Sequence, residues 1–125
     1  MAKLVHFEIH ASDPVGLIDF YQDVFGWGIK EWPGADGYWL ITESPGDEQR
    51  VIGGILRRKG EPPSAQTPIN AFVCTFQIAD IDLTIAAIQR RGGRVSEPKM
   101  KIETVGWVAQ VIDPNGSIFG LLQPP

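Results

Sequence analysis

The sequence predicts an α+β fold built from two copies of a βαβββ unit. Three observations predict it. A capped helical segment recurs at a fixed offset, a glycine-bearing apolar strand recurs at nearly the same offset, and short alternating segments fill the space between them. "DPVGLIDFYQDVFGWG" from Asp13 lies over "DIDLTIAAIQRRGGRV" from Asp80, 67 positions later. "VIGGIL" from Val51 lies over "SIFGLL" from Ser117, 66 positions later, which pairs Gly54 with Gly120.

Each element follows from its local pattern. "VHFEIH" alternates strictly: Val5, Phe7 and Ile9 are apolar, while His6, Glu8 and His10 are ionisable. A strand turns successive side chains to opposite faces, so one face packs and the other carries two imidazoles around a carboxylate. Asp13 or Ser12 ahead of Pro14 is a helix start, and Pro14, Ile18, Tyr21 and Phe25 recur at helical spacing up to a stop at Gly26. "WGIKEW" and "YWLITE" then read as strands joined by the turn "PGADG", and "VIGGIL" closes the unit. After "RKGEPPSAQTP", whose three prolines mark a linker, the second copy repeats the order. "VCTFQ" is its first strand, with Val73, Thr75 and Gln77 at the places of His6, Glu8 and His10. Asp80 caps a helix carrying Ile81, Ile85 and Ile88 that stops at Gly92-Gly93. "RVSEPKM", "TVGWVAQVI" and "SIFGLL" complete the copy. The whole is one domain over 1–125, with modules at about 1–58 and 69–125 and a linker at 59–68. One helix on a small sheet leaves the other sheet face uncovered, so two such faces are expected to meet or to enclose a cavity.

Composition narrows the function. A net charge of -4 and a pI near 5.0 argue against nucleic acid or an anionic membrane surface as partner. The single cysteine, Cys74, allows no internal disulfide and no thiolate metal cluster. By strand parity it shares a side with Phe72 and Phe76, where it acts as a small apolar residue against a helix. No apolar run reaches the roughly 20 residues of a membrane span, and the alternating N-terminus is unlike a signal peptide, so the expected location is the cytoplasm.

"HFEIHASDP", "FYQDVFGW" and the final "GWVAQVIDPNGSIFGLLQ", set in paired βαβββ units, resemble the vicinal oxygen chelate superfamily of glyoxalase I, bleomycin-resistance proteins and extradiol dioxygenases. The likeness is strongest to small glyoxalase-like proteins. The resemblance implies that the two modules curl into an eight-stranded sheet cup with helices outside, that a small molecule sits in the cup between them, and that the chain forms a homodimer. It also implies metal-ligand positions on the first and last strand of each module. Carried over, these are His6, Gly53 or Gly54, a place at or next to Val73, and Gly120, of which only His6 can ligate.

His6, Glu8 and His10 do not make up the shortfall among themselves. Alternate strand residues stand about 6.6 to 7 Å apart, which separates His6 from His10 by about 13 Å at the backbone. No cofactor is therefore expected, a divalent metal at His6 being the less favoured case. The expected function is sequestration of a small organic molecule, with His6, Glu8 and His10 as polar contacts. Trp39 and Trp107 serve as aromatic walls, and Gly54 and Gly120 leave volume on the cup floor. The alternative is a lyase or isomerase of the glyoxalase type with Glu8 as base and His6 as ligand or acid.

Overall fold

A computed structural model describes residues 3–47, 49–64 and 66–125; Met1, Ala2, Glu48 and Ala65 lie outside the described residues, the last of them within the predicted linker. The chain divides into two compact units, Met1–Pro62 and Pro63–Pro125. In the first, β1 (Phe7–Ala11) leads to α1 (Pro14–Phe25), β2 (Gly28–Glu31), β3 (Tyr38–Thr42) and β4 (Val51–Arg57). In the second, β5 (Thr75–Gln77) leads to α2 (Ile81–Arg90), β6 (Arg94–Ile102), β7 (Gly106–Ile112) and β8 (Ile118–Gln123). Both units are βαβββ. Each forms a four-stranded sheet, of order β1-β4-β3-β2 in the first and β5-β8-β7-β6 in the second. In each, the first strand runs parallel to the last and the remaining pairs are antiparallel.

The helix ends form as their chemistry dictates. The Asp13 carboxylate accepts from the Gly16 amide at 3.2 Å, Pro14 fills the first turn, and Gly26 leaves the helix in the left-handed region at φ 70°. Asp80 accepts from the Leu83 amide at 3.0 Å. At the turn before β8, buried Asp113 takes the amides of Asn115 and Ser117 on one carboxylate oxygen, at 2.7 and 3.1 Å. That geometry is why "DPNG" ends one strand and starts the next.

In the first unit α1 packs on β1, β2 and β4. The core comprises Ile9, Ile41 and Ile55 from the sheet with Leu17, Phe20 and Tyr21 from the helix, all buried. Tyr21 stacks on Trp27 at 5.2 Å, and Trp27 in turn meets Phe7 at 5.9 Å, so the odd-numbered side chains of β1 face the helix. The helix buries Leu17 and Phe20 alongside Pro14 and Tyr21, whereas Ile18 and Phe25 are half-buried, so its apolar stripe is rotated slightly from the predicted one.

In the second unit α2 packs on β6, β7 and β8. The Ile81 amide donates to the Gln123 side-chain carbonyl at 2.8 Å, which fixes the helix-facing side of β8. The first strand is shorter than the sequence suggests: β5 begins only at Thr75, and Phe72 is fully exposed rather than packed beside Cys74. Phe76 does turn toward the core and meets Phe119 edge-on at 5.8 Å.

Ile55 sits on an inner strand with no exposed surface. Ile55→Ala is expected to destabilise the protein by about 2 to 5 kcal/mol, because a large-to-small change in a close-packed core loses transfer energy and leaves a cavity. Denaturant unfolding followed by circular dichroism measures this.

Candidate functional site

Register decides which residues share the sheet face away from α1. Glu8 pairs with Gly54, Gly54 with Leu40, and Leu40 with Lys30, which makes one row across all four strands. In the neighbouring row His10 pairs with Leu56, and Leu56 with Tyr38. The Trp32 amide donates to the Tyr38 carbonyl at 2.8 Å, bringing Trp32 onto the end of this row. His6, one step before β1, completes the set on the same parity as Glu8 and His10.

Tyr38 organises this face. A Cβ added to Gly54 would collide with the Tyr38 hydroxyl and ring, so the phenol lies across the glycine and occupies the space a side chain there would take. From that position its hydroxyl reaches Glu8 Oε2 at 2.9 Å and His6 Nε2 at 2.8 Å. His10 Nε2 reaches Glu8 Oε1 at 3.2 Å. The His6 ring also lies nearly parallel to the Tyr38 ring, at 16° and 6.5 Å between centroids.

The direction of each bond follows from the proton count. A carboxylate only accepts, so both Tyr38 O–H and His10 Nε2–H donate to Glu8. Tyr38 has one proton and gives it to Glu8, so it accepts from His6, whose proton must be on Nε2. The result is a one-way chain, His6 to Tyr38 to Glu8, met at the same carboxylate by His10.

The titration of the two central groups reflects these bonds. The Tyr38 hydroxyl lowers the Glu8 pKa below its ordinary 4.5, partial desolvation opposes this, and the His10 bond with attraction to the two imidazoles adds to the lowering. Burial pushes Tyr38 up to about 12, and the hydrogen bond to Glu8 and its negative charge push the same way. The face remains open to solvent, with the Glu8 and His10 side chains 42% and 48% exposed.

Two of the expected site residues stand elsewhere. Trp39 pairs with Ile55, whose other neighbour is Ile9, so it belongs to the row facing α1 and not to the face that carries Glu8. Trp107 pairs with Gln123 on the α2 side of the second sheet. There Lys99 Nζ lies 4.6 Å from its ring while bonding Asp82 of the helix. Trp39 therefore does not join the His6, Glu8 and His10 group, and Trp107 faces α2 within its own unit. The aromatics that do are Tyr38 and Trp32, which meet edge-on at 6.0 Å, with Trp32 44% exposed. The alternation in "YWLIT" carries that signal: Trp39 and Ile41 form its apolar side, leaving Tyr38 for the other.

The glycines do not leave empty volume either. Gly54 is covered by Tyr38, and a Cβ on Gly120 would strike the Thr75 hydroxyl, which pairs with it across the parallel strands. Hydroxyl groups thus stand over both glycines, the positions at which the resemblance implies metal ligands. Among the described residues no group of three or more His, Cys, Asp or Glu side chains could hold a metal ion. The donor set here does not fit a metal centre of the implied kind.

Comparison with known proteins agrees with the fold. Residues 3–121 match the family model of the Glyoxalase/Bleomycin resistance protein/Dioxygenase superfamily, and the chain belongs to that family. It is 31% identical over 121 residues to the putative glyoxylase CFP32 of Mycobacterium tuberculosis, covering 97% of this chain and 44% of that protein. The anthracycline biosynthesis protein DnrV of Streptomyces peucetius is 24% identical over 126 residues, covering 92% of this chain and 44% of that protein. The chain thus spans less than half the length of these relatives. Among solved structures, the Listeria monocytogenes fosfomycin resistance protein FosX has a TM-score of 0.68 at 14% identity, covering 100% of this chain and 93% of that one. TnmS3, an antibiotic binding protein from a Streptomyces species, has a TM-score of 0.64 at 22% identity, covering 100% and 98%.

The shifts fix how pH acts on stability. Glu8, lowered in the folded state, contributes stability that is present above 4.5 and is lost as pH falls through its depressed value. Solvent screening keeps that contribution small. Tyr38, raised, contributes stability that is full below 10 and is lost as pH rises toward about 12. In a Tyr21→Phe background, where Tyr38 is the remaining tyrosine, phenolate absorbance is expected to appear only near pH 12. Glu8→Gln should lower that midpoint partway, since burial, the larger cause, persists. A midpoint near 10 in the parent would show that the phenol is not held over Gly54.

Proposed function

We propose that this protein binds a small, partly aromatic or apolar organic molecule without a tightly held metal, and that the face carrying His6, Tyr38, Glu8, His10 and Trp32 is where it binds. The observation that carries this reading is the pairing of an exposed aromatic edge with a fixed polar group. Trp32 and Tyr38, set edge-on to each other, offer apolar ring surface, and beside them Glu8 and the two histidines are held in one geometry by their own hydrogen bonds. A prearranged polar group costs a ligand little ordering entropy.

The same bonds support binding over a glyoxalase-type lyase or isomerase. A general base works best when its proton affinity lies near the operating pH, and the Tyr38 hydrogen bond moves Glu8 the other way, below 4.5. His6 has its Nε2 proton engaged with Tyr38. The names of the relatives are mixed on this point: one is a putative glyoxylase, another a protein of anthracycline biosynthesis, and a structural neighbour is an antibiotic binding protein. The acidic charge balance supports a small molecule as partner in preference to nucleic acid. Pairing into a homodimer, as the resemblance implies, is part of the proposal and is read by light scattering.

A neutral anthracycline aglycone is a direct probe. It is expected to quench tryptophan emission and to bind about tenfold more weakly in Trp32→Ala, the loss of one aromatic contact. Affinity should be the same with and without EDTA. Binding that vanishes on chelation and returns with a divalent metal, or no binding by the unaltered protein, would refute the reading.

A further inference from the structure

We propose that the natural ligand of this face is an organic amine, held through its positive charge by Glu8 and through an attached flat apolar body by Tyr38 and Trp32. This rests on the binding reading above and names the chemical class it leaves open.

The direction of the hydrogen bonds carries the inference. With both histidines neutral, every proton within the cluster is committed: Tyr38 O–H to Glu8 Oε2, His10 Nε2–H to Glu8 Oε1, and His6 Nε2–H to Tyr38. A carboxylate has about four lone-pair sites, and two donors occupy half of them. The Glu8 side chain is nevertheless 42% exposed. What the cluster presents to an incoming molecule is therefore spare acceptor capacity bearing negative charge. An ammonium group, with three donors and a positive charge, complements it. A carboxylate or phosphate would meet Glu8 as a like charge.

The aromatic surroundings favour the same class. Trp32 stands edge-on to Tyr38 at 6.0 Å with 44% of its surface open, and the faces of such rings attract cations as well as flat apolar groups. Among the described residues, the groups that pair with the carboxylate when protonated are the cluster's own imidazoles, and the nearby lysine and arginine side chains are engaged elsewhere. Lys30 shares the Glu8 row but lies on the far edge strand, three strand spacings or about 14 Å away at the backbone, and has an interaction of its own. Arg57 pairs with Ala11 on the opposite parity and donates to the Ser12 carbonyl at 3.1 Å. Arg58, just past the end of β4, is likewise engaged. The net charge of -4 adds a general attraction for cations.

Three probes with one ring system separate charge from shape: naphthylmethylamine, naphthylmethanol and naphthoate, each titrated by calorimetry. The amine is expected to bind about tenfold more tightly than the alcohol, and naphthoate most weakly. Glu8→Gln should abolish the preference for the amine over the alcohol, and an unchanged far-ultraviolet circular dichroism spectrum shows that the variant is folded. Tyr38→Phe, which keeps the ring and the carboxylate, should keep the preference. If the alcohol or naphthoate binds the unaltered protein as tightly as the amine, or if the preference survives in Glu8→Gln, the amine inference is overturned and the binding reading stands. If none of the three binds, the amine inference is overturned. The neutral aglycone then tests the broader reading separately.

Discussion

A phenol ring lies across Gly54 because no side chain stands there, and the rest of the candidate site depends on that contact. Tyr38 and Glu8 come from different rows of the sheet, separated by a strand. Only a ring that crosses the intervening backbone can join them, and only glycine lets it pass, since even a single added carbon would strike the ring. Once the hydroxyl is in place it satisfies Glu8, takes the His6 proton, and fixes which nitrogen of that imidazole carries hydrogen. A row of separate ionisable groups becomes one polar unit with a defined direction.

The second module makes the same substitution with a smaller group. Gly120 pairs with Thr75, and the Thr75 hydroxyl stands over it as Tyr38 stands over Gly54. The repeat thus extends below the level of strands and helices, to a hydroxyl-bearing neighbour over a glycine in each module. The electrostatic outcomes differ. In the first module the hydroxyl is bonded to a carboxylate and its pKa is pushed up to about 12, while the residue matching Glu8 in the second module is Thr75 itself.

The fold was legible because its signals are local and occur twice. Asp13 and Asp80 cap, Gly26 and, just past the Arg91 cap, Gly92 turn the chain out of the helix, and the spacing between copies confirms each reading against the other. The site was legible only in part. The alternation of "VHFEIH" places His6, Glu8 and His10 together, because face sharing within one strand needs nothing but parity. Which residues of other strands join them depends on register, and register is set by partners far away in the chain. Trp39 looked like an aromatic wall by its residue type, yet its pairing with Ile55 sends it toward α1 and brings its neighbour Tyr38 forward. Trp107 is turned the same way in its own sheet, where Lys99 and Asp82 occupy its surroundings. The glycines misled for a related reason. A missing side chain reads as volume in a sequence, whereas in a folded sheet a neighbour fills it, as close packing requires.

The candidate site depends on the direction of the hydrogen bonds into Glu8, and the nitrogen chemical shifts of the two imidazoles measure that direction. With the histidines neutral and the site free of ligand, long-range proton–nitrogen correlation spectra should show both His6 and His10 protonated at Nε2. The His6 signal alone should lose its tautomer preference in Tyr38→Phe. A His6 proton found on Nδ1 in the parent protein would contradict the account, since Nε2 would then accept the Tyr38 proton and leave Glu8 without it.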